Sequence, residues 1–526
     1  MTAYDHVIVG AGSAGCVLAA RLSEDPDTRV ALLEAGQEDT EPMIHVPALF
    51  PALFKSSWDW DLLGEPEPGL GGRRLYMPRG KMIGGCGSIN AMIYVRGNRA
   101  DYDGWAAGGA SGWSYHEVLP YFKRSEDNER GEDGFHGVGG PMRISDSRAM
   151  TPLADSMVDA AGNAGHEHNP DFNGARQEGV GRFQLTQRNG LRESTADAFL
   201  RPAIDRPNLD VITRAMATRI LFDGRRATGV EIFRDARLQE LRAEREVILS
   251  AGAYQSPVLL MLSGIGPEDQ LEPLGIELRE ALPVGENLQD HAMINLNYLT
   301  DEPSLFGATT PENFALLESE GRGPLTSNIP EAAGFFRTRP GLEAPDIEFH
   351  FAPSMLYDQG LTAPEAAGLA FGPVVVNPSS RGRVMLRAPL PDSKPRVLCN
   401  FLTTDEDWAS MLAGMRMALE IAEQEPLRSK ISGPFLVPRS DSEEDLRQFV
   451  RDETMTVFHP TSTCSIGPVV DPELRVHGFE SLRVVDASVM PTITRANTNA
   501  ATIMIAERGA DLIRQAGGSR LEAGVA

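Results

Sequence analysis

At 526 residues the chain is too long for one ordinary hydrophobic core, so two interleaved lobes able to bury a large ligand between them are expected. Its 41% hydrophobic and 23% charged residues are globular proportions, and a formal net charge of −25 creates a field that repels phosphate, arguing against nucleic acid or an anionic membrane as a partner. Four widely separated cysteines, Cys16, Cys86, Cys399 and Cys464, include no CxxC pair, so neither a zinc site nor a disulfide framework is indicated and a reducing cytoplasm fits.

The first residues carry no basic leader or cleavage site, and no run of about 18 uncharged apolar residues occurs, so secretion and membrane insertion are not expected. No repeat or low-complexity tract stands out, and only a short tail reads as disordered. Residues 5 to 35 read as strand, glycine turn, helix and strand. Gly10, Gly12 and Gly15 allow a tight turn, backbone approach to a pyrophosphate and close packing of helix on strand, with the helix start at Ser13 and Ala14 facing the phosphates. Glu34 closes the second strand 24 residues after Gly10, with Ala35 beside it. An acid there accepts hydrogen bonds from both ribose hydroxyls and repels a 2′-phosphate, which disfavours NADP and leaves FAD and NAD open.

Next comes the glycine-rich loop Gly80-Lys-Met-Ile-Gly-Gly-Cys-Gly-Ser-Ile-Asn90, followed by Ala91, Met92 and Ile93. Glycine-rich residues 131–140 read as a loop, Ala217-Thr-Arg-Ile-Leu221 as a strand, and Gly252 to Gly266 as a turn entering an apolar helix. Gly321-Arg-Gly-Pro324 marks a second loop, and either loop could gate access to a ligand. Asp346-Ile-Glu-Phe-His-Phe351 and Gly372-Pro-Val-Val-Val376 read as strands, and 405–424 as a helix, a pattern that suits an antiparallel sheet backed by helices. Near the end stand Val457-Phe-His-Pro460, the pair Asp486-Ala487, and Asn497-Thr-Asn499 before an apolar helix over 500–513 with polar cap residues.

The glycine turn, the 80–90 loop, the 252–266 segment and the C-terminal run from Phe458 to Asn499, in that order, together resemble the glucose-methanol-choline family of flavin oxidoreductases over essentially the whole chain. The 252–266 segment matches the family's second signature at every restricted position, whereas Cys86 stands where a small hydroxyl residue or glycine is usual. The resemblance implies an α/β fold (α+β overall): a Rossmann-like FAD-binding domain with an interleaved antiparallel-sheet substrate domain. The FAD-binding segments are expected at 1–155, 190–300 and 455–526, and the substrate-binding segments at 156–189 and 301–454.

Carried onto this chain, the family's cofactor contacts fall on Gly84, Gly85, Asn90, Ala91, Met92 and Ile93 along the flavin ring and phosphate chain. Ala217 falls at the adenine, Asp486 and Ala487 at the pyrophosphate and ribityl chain, and Phe458 and Thr498 beside the flavin. Some members carry, one place before the asparagine, a histidine bonded to the flavin; Ile89 has no nucleophile, so FAD held without a covalent link is implied. The C-terminal helix would turn its positive end towards the flavin's pyrimidine side, offsetting charge on the reduced ring.

His459 falls where members keep the histidine that faces the flavin, and Asn497 where the second catalytic residue is histidine or asparagine. An alcohol surrenders a hydride once its oxygen begins to lose its proton, a task suited to a neutral imidazole with an ordinary pKa of about 6.5. The Asn497 amide cannot titrate but can donate a hydrogen bond to the developing alkoxide. The resemblance thus implies FAD-dependent oxidation of a primary alcohol to the aldehyde, with electrons passing to oxygen or to an artificial or protein acceptor. Glu331 and Val457 are the candidate substrate-side residues: Glu331 resembles in position the carboxylate that meets trimethylammonium in choline-oxidising members, and Val457 a nonpolar site for oxygen in some oxidases. A structural role for Glu331 and a sheet role for His350 are the expected readings, so a neutral aromatic, furanic or aliphatic alcohol is favoured over choline oxidase or dehydrogenase activity. Val457 inclines the reading towards oxidase. An FAD-containing hydroxynitrile lyase is the further alternative, whereas the light-driven decarboxylase branch does not retain the histidine and asparagine pair. Oligomeric state stays open, a homodimer included.

Overall fold

The computed structural model describes residues 3–149 and 151–523, with side chains through residue 517; the short tail read as disordered ends in residues outside this range. Strand Ala3–Val9 is the centre of the first sheet because Val7, Ile8 and Val9 form an apolar run that is buried on both faces. It is flanked in parallel by Val30–Leu33 and Arg237–Leu249. Leu209–Ile212 extends the sheet beyond Val30–Leu33, and Leu482–Val484 joins the end of Arg237–Leu249, both in parallel. The opposite end of Arg237–Leu249 turns into an antiparallel meander with Arg226–Arg234 and Met216–Asp223, completing seven strands.

Helix Ser13–Leu22 crosses over this sheet almost wholly buried. Its approach to the first turn depends on Gly15, where an added Cβ would lie 1.9 Å from the carbonyl oxygen of Gly10, itself at φ +100°. The outer side of the helix packs on the C-terminal helix Asn499–Ala523. Buried Glu507 on that helix is shared by Arg21 and Arg124. The C-terminal helix outruns the expected apolar stretch because Arg514, beyond it, pairs with Glu24.

The second sheet has eight strands, all paired antiparallel, in the order Gly433–Leu436, Leu296–Leu299, Gly368–Val375, Ile347–Ala352, Ala332–Phe336 and Gly179–Arg182, with Ala292–Met293 and Met455–Thr456 branching from Gly368–Val375. Helices Asp405–Ala422 and Pro152–Asn163 pack against it. The first is started by the Thr404 hydroxyl, which accepts from the Asp407 amide, and by three acids in its first turn. It buries Met411, Met415, Ala418 and Ile421, a spacing that lays one stripe on the sheet.

The expected fold class is therefore what the chain adopts, with altered boundaries. Residues 292–299 and 455–456, expected within the FAD-binding segments, pair into the antiparallel sheet. The boundary at 155 falls inside helix Pro152–Asn163, which packs on strands of that same sheet.

Because the Gly15 contact leaves no space for a methyl group, Gly15→Ala is expected to cost about 1–3 kcal/mol, the usual penalty of overpacking, or more. A fall in the denaturation midpoint checks this, and an unchanged midpoint contradicts it.

Candidate active site

The C-terminal ends of the parallel strands and the open side of the antiparallel sheet enclose one long cavity. At one end it is bounded by Gly10, Gly12, Ser13, Ala14, Glu34 and Ala35, with Ala217, Asp486 and Ala487 close by. Gly85, Asn90, Ala91, Met92 and Ile93 form a second wall, and Val457, Phe458, His459, Asn497 and Thr498 a third. Three of the residues singled out by sequence are not on the surface of the cavity. Gly15 packs helix against turn, Gly84 sits where a Cβ would meet Ser88 Oγ at 2.1 Å, and Glu331 faces elsewhere.

The first end has the construction of a dinucleotide cradle. A Cβ on Gly85 would lie 2.7 Å from Gly12 Cα, so the two glycine turns meet backbone to backbone, while a Cβ on Gly12 would have no atom nearer than 3.9 Å on the cavity side. Helix Ser13–Leu22 starts at Gly12 without a side-chain cap, leaving its first N–H groups for an anion. Ser13 Oγ donates to Asn499 Oδ1 at 2.7 Å, which ties this helix start to that of Asn499–Ala523, and both open on the cavity. The carboxylate of Glu34 accepts from the Ala11 and Gly36 amides at 3.0 and 2.8 Å, and burial pushes its pKa up to about 7. Asp486 holds the Gly252 amide at 2.9 Å and Ser256 Oγ at 2.6 Å.

At the third wall the chain brings His459 and Asn497 together, with the Asn497 amide nitrogen 3.2 Å from His459 Nε2. The other ring nitrogen, Nδ1, lies 3.0 Å from Nδ1 of His291, and the rings meet edge to face at 90°. With Asn497 donating to Nε2, the lone pair of His459 is on Nε2 and its ring proton is on Nδ1, shared with His291. Strand pairing explains the meeting: Ala292 is opposite Thr456, and the Val457 amide donates to the His291 carbonyl at 3.2 Å.

Asp290 holds the backbone here rather than a ring. Its carboxylate accepts from the amides of His291 and His459, both at 2.8 Å, and from Thr456 Oγ1 at 2.6 Å. Arg79 Nη2 donates to the Phe458 carbonyl at 2.5 Å and so braces a residue at φ +68°. His459 is 9% exposed, and burial drives its pKa well below the ordinary value, reinforced by His291, His350 and Arg79. His291 is pushed down to about 3 by burial. Two neutral imidazoles therefore stand side by side at neutral pH. Such a ring can accept a proton on Nε2 while Asn497 donates to the same substrate oxygen. Among the described residues no His, Cys, Asp and Glu cluster suits a metal ion.

The remaining wall is apolar and aromatic. Phe50, Phe54 and Phe458 interlock, with ring centroids 6.0 and 5.7 Å apart along the chain of contacts, and Trp60, Leu356 and Val457 complete the lining. Among the described residues the only carboxylates on the cavity surface are Glu34 and Asp486, both at the nucleotide end.

Glu331, a candidate substrate-side carboxylate for which a structural role is the expected reading, makes structural contacts. Its oxygens accept from Thr151 N at 3.0 Å, Thr151 Oγ1 at 2.8 Å and Ser327 Oγ at 2.8 Å, so it anchors the start of helix Pro152–Asn163. The alternation of an extended chain turns Pro330 into the cavity and Glu331 away from it. His350 is in the sheet, as expected, yet its ring lines the cavity with Nε2 3.2 Å from Glu348 Oε1. Neither the 131–140 loop nor the 321–324 turn reaches the cavity. His291, Asp290, Arg79 and the phenylalanines 50 and 54 escaped the sequence reading. For Asp290 and His291 the sequence signal is the polar run Asn287-Leu-Gln-Asp-His291 ahead of an apolar strand.

Two family models, both described as GMC oxidoreductase, match residues 4–293 and 378–506. The chain is 42% identical to an alcohol dehydrogenase [acceptor] of Pseudomonas putida, covering 97% of this chain and 95% of that protein. It is 41% identical, over 97% and 95% of the two chains, to an oxygen-dependent choline dehydrogenase of Sinorhizobium fredii. Among solved structures, pyridoxine 4-oxidase from Mesorbium loti superposes with a TM-score of 0.89 at 33% identity, covering 97% of this chain and 98% of that one.

His459 is expected to stay neutral, with its proton on Nδ1, at and below pH 6.5, because every cause acting on it lowers its pKa. Nitrogen-15 NMR of histidine-labelled protein reads this directly, and a ring that protonates at or above that pH contradicts the geometry.

Proposed function

The chain belongs to the GMC oxidoreductase family, and on that premise we propose that it binds FAD without a covalent link and oxidises an uncharged primary alcohol to the aldehyde. The observation that carries the reading is the neutral His459 ring held between Asn497 and His291 on the cavity wall.

FAD fits the residues present. The glycine turns leave room for a pyrophosphate against the start of helix Ser13–Leu22, Glu34 stands where ribose hydroxyls would reach it, and Ala217 borders the space for adenine. Ile89, which lines the cavity, offers no atom for a bond to the flavin. When bound, FAD supplies the two-electron acceptor that takes the hydride from the carbinol carbon.

The protein's own part is the proton and the oxygen. The substrate hydroxyl enters between the side chains of His459 and Asn497, giving its proton to Nε2 and accepting a hydrogen bond from the Asn497 amide. As the proton leaves, that amide stabilises the negative charge on oxygen until the C–O bond becomes double, and His291 receives the Nδ1–H bond that keeps His459 in the reactive tautomer. Asp290 and Arg79 keep the 457–459 backbone in place. Electrons then leave to oxygen or another acceptor; half-buried Val457 on the wall gives oxygen a nonpolar approach, which favours an oxidase.

Phe50, Phe54, Leu356 and Phe458 suit an aromatic or otherwise apolar alcohol. A second reading, choline, draws on the same aromatic wall, since ring faces attract quaternary ammonium groups, and on the name of the Sinorhizobium fredii relative. With Glu331 turned away, no carboxylate among the described residues stands at that wall.

We expect His459→Ala to retain FAD while turnover falls on the order of 100- to 10,000-fold, the range for a lost general base; near-normal turnover removes the mechanism. In a panel assayed with oxygen and with an artificial acceptor, benzylic and furanic alcohols are expected to exceed choline in kcat/KM. A preference for choline reverses the substrate reading.

A further inference from the structure

The loop that carries Asn90 is held from behind by an arginine with no part in the proton transfer. Arg192, on the short strand Leu191–Arg192, is 3% exposed and makes no ion pair among the described residues. Its guanidinium donates to the Ile44 carbonyl at 2.8 Å, the Gly87 carbonyl at 3.1 Å and Asn90 Oδ1 at 2.8 Å, and Nη2 has no partner among the described residues. Burial lowers its pKa to about 9, with Asp197 opposing, so it is still a cation at neutral pH. A buried charge without a counter-charge is costly and is ordinarily paired.

The geometry indicates what pairs it. Asn90 Oδ1 accepts from both Arg192 Nη1 and the Met92 amide, at 2.8 and 2.9 Å, which fixes the oxygen on the loop side. The other half of the carboxamide, with its two N–H bonds, is then left to the cavity that Asn90 lines. Gly87, which Arg192 also holds, lies against the start of the first helix: a Cβ there would be 3.3 Å from Ser13 Oγ. The cation therefore stands one loop's thickness behind the helix start where phosphate is favoured.

We propose that Arg192 is a positioning residue for the cofactor's pyrophosphate: it locks the Asn90 carboxamide with its N–H bonds turned into the cavity, and its buried charge is balanced when the diphosphate binds. The proposal rests on the reading of the cavity as an FAD site and goes beyond it in assigning a residue outside the cavity wall.

The test is FAD titration and thermal melting of apoprotein and FAD-loaded protein for the wild type, Arg192→Met, Arg192→Lys and Asn90→Ala. Arg192→Met is expected to weaken FAD binding about 10- to 100-fold, the loss typical of a charged hydrogen-bond partner. Its apoprotein should melt no lower than the wild-type apoprotein, because the unbalanced cation is gone, so the rise in Tm on adding FAD shrinks. Arg192→Lys, which keeps the charge, should lie between the two. Asn90→Ala should cost less in the Arg192→Met background than alone. Unchanged FAD affinity in Arg192→Met, or an equal loss of Tm with and without FAD, overturns the proposal. No binding by the wild type would remove the FAD reading and this proposal together, whereas normal wild-type binding with an unaffected variant removes this proposal alone. If Arg192→Met yields no folded apoprotein, Asn90→Asp carries the test, since it turns the cavity-facing donors into an acceptor: weaker FAD binding supports the assignment, and unchanged binding overturns it.

Discussion

A histidine can serve as a base at neutral pH only while its ring is uncharged, and the site is arranged around that condition. His459 is buried, and its ring nitrogens meet an amide and a second buried imidazole rather than a carboxylate. The nearby acid, Asp290, spends its hydrogen bonds on the backbone amides of His291 and His459 and on the Thr456 hydroxyl. A carboxylate bonded to the ring itself would have raised the pKa and filled the lone pair with a proton before any substrate arrived. The architecture separates the two tasks, with the acid fixing the main chain and neutral groups fixing the ring.

That arrangement depends on two sheets meeting at one place. The short pairing of Ala292–Met293 with Met455–Thr456 sets His291 beside Val457–His459, although the two histidines are separated by 168 positions. From the other sheet, the glycine turn after Ala3–Val9 and the cap of Asn499–Ala523 are joined by the Ser13–Asn499 hydrogen bond, so two helix starts converge on the cavity that His459 borders. The positive ends of those helices face the cavity, and the cations Arg79 and Arg192 stand close to it, within a strongly acidic chain.

What could be read from the amino-acid order follows from whether the information is local. Gly10, Gly12, Gly15 and Glu34 lie in one strand, turn and helix unit, so their spacing alone predicts the cradle. Strand 347–352 and helix 405–422 carry strong periodicity and were likewise legible. The domain boundaries were not, because strands of two residues, such as 292–293 and 455–456, have no pattern to detect and exist only through their partners. His291 and Arg192 were invisible for the same reason: each acts through a contact set by long-range packing. Glu331 shows that place along the chain does not fix the direction of a side chain, since one step of alternation turns it from the cavity towards Thr151.

On the proposed mechanism, the cavity couples removal of an alcohol proton to transfer of the adjacent hydride. The most direct measurement mixes the FAD-loaded protein with an aromatic primary alcohol in the absence of oxygen and follows the flavin absorbance, with the carbinol hydrogens in one arm replaced by deuterium. The flavin is expected to bleach, and deuteration to slow the bleaching. A flavin that stays oxidised across the alcohol panel, above all in a protein that releases cyanide from a hydroxynitrile, would contradict it.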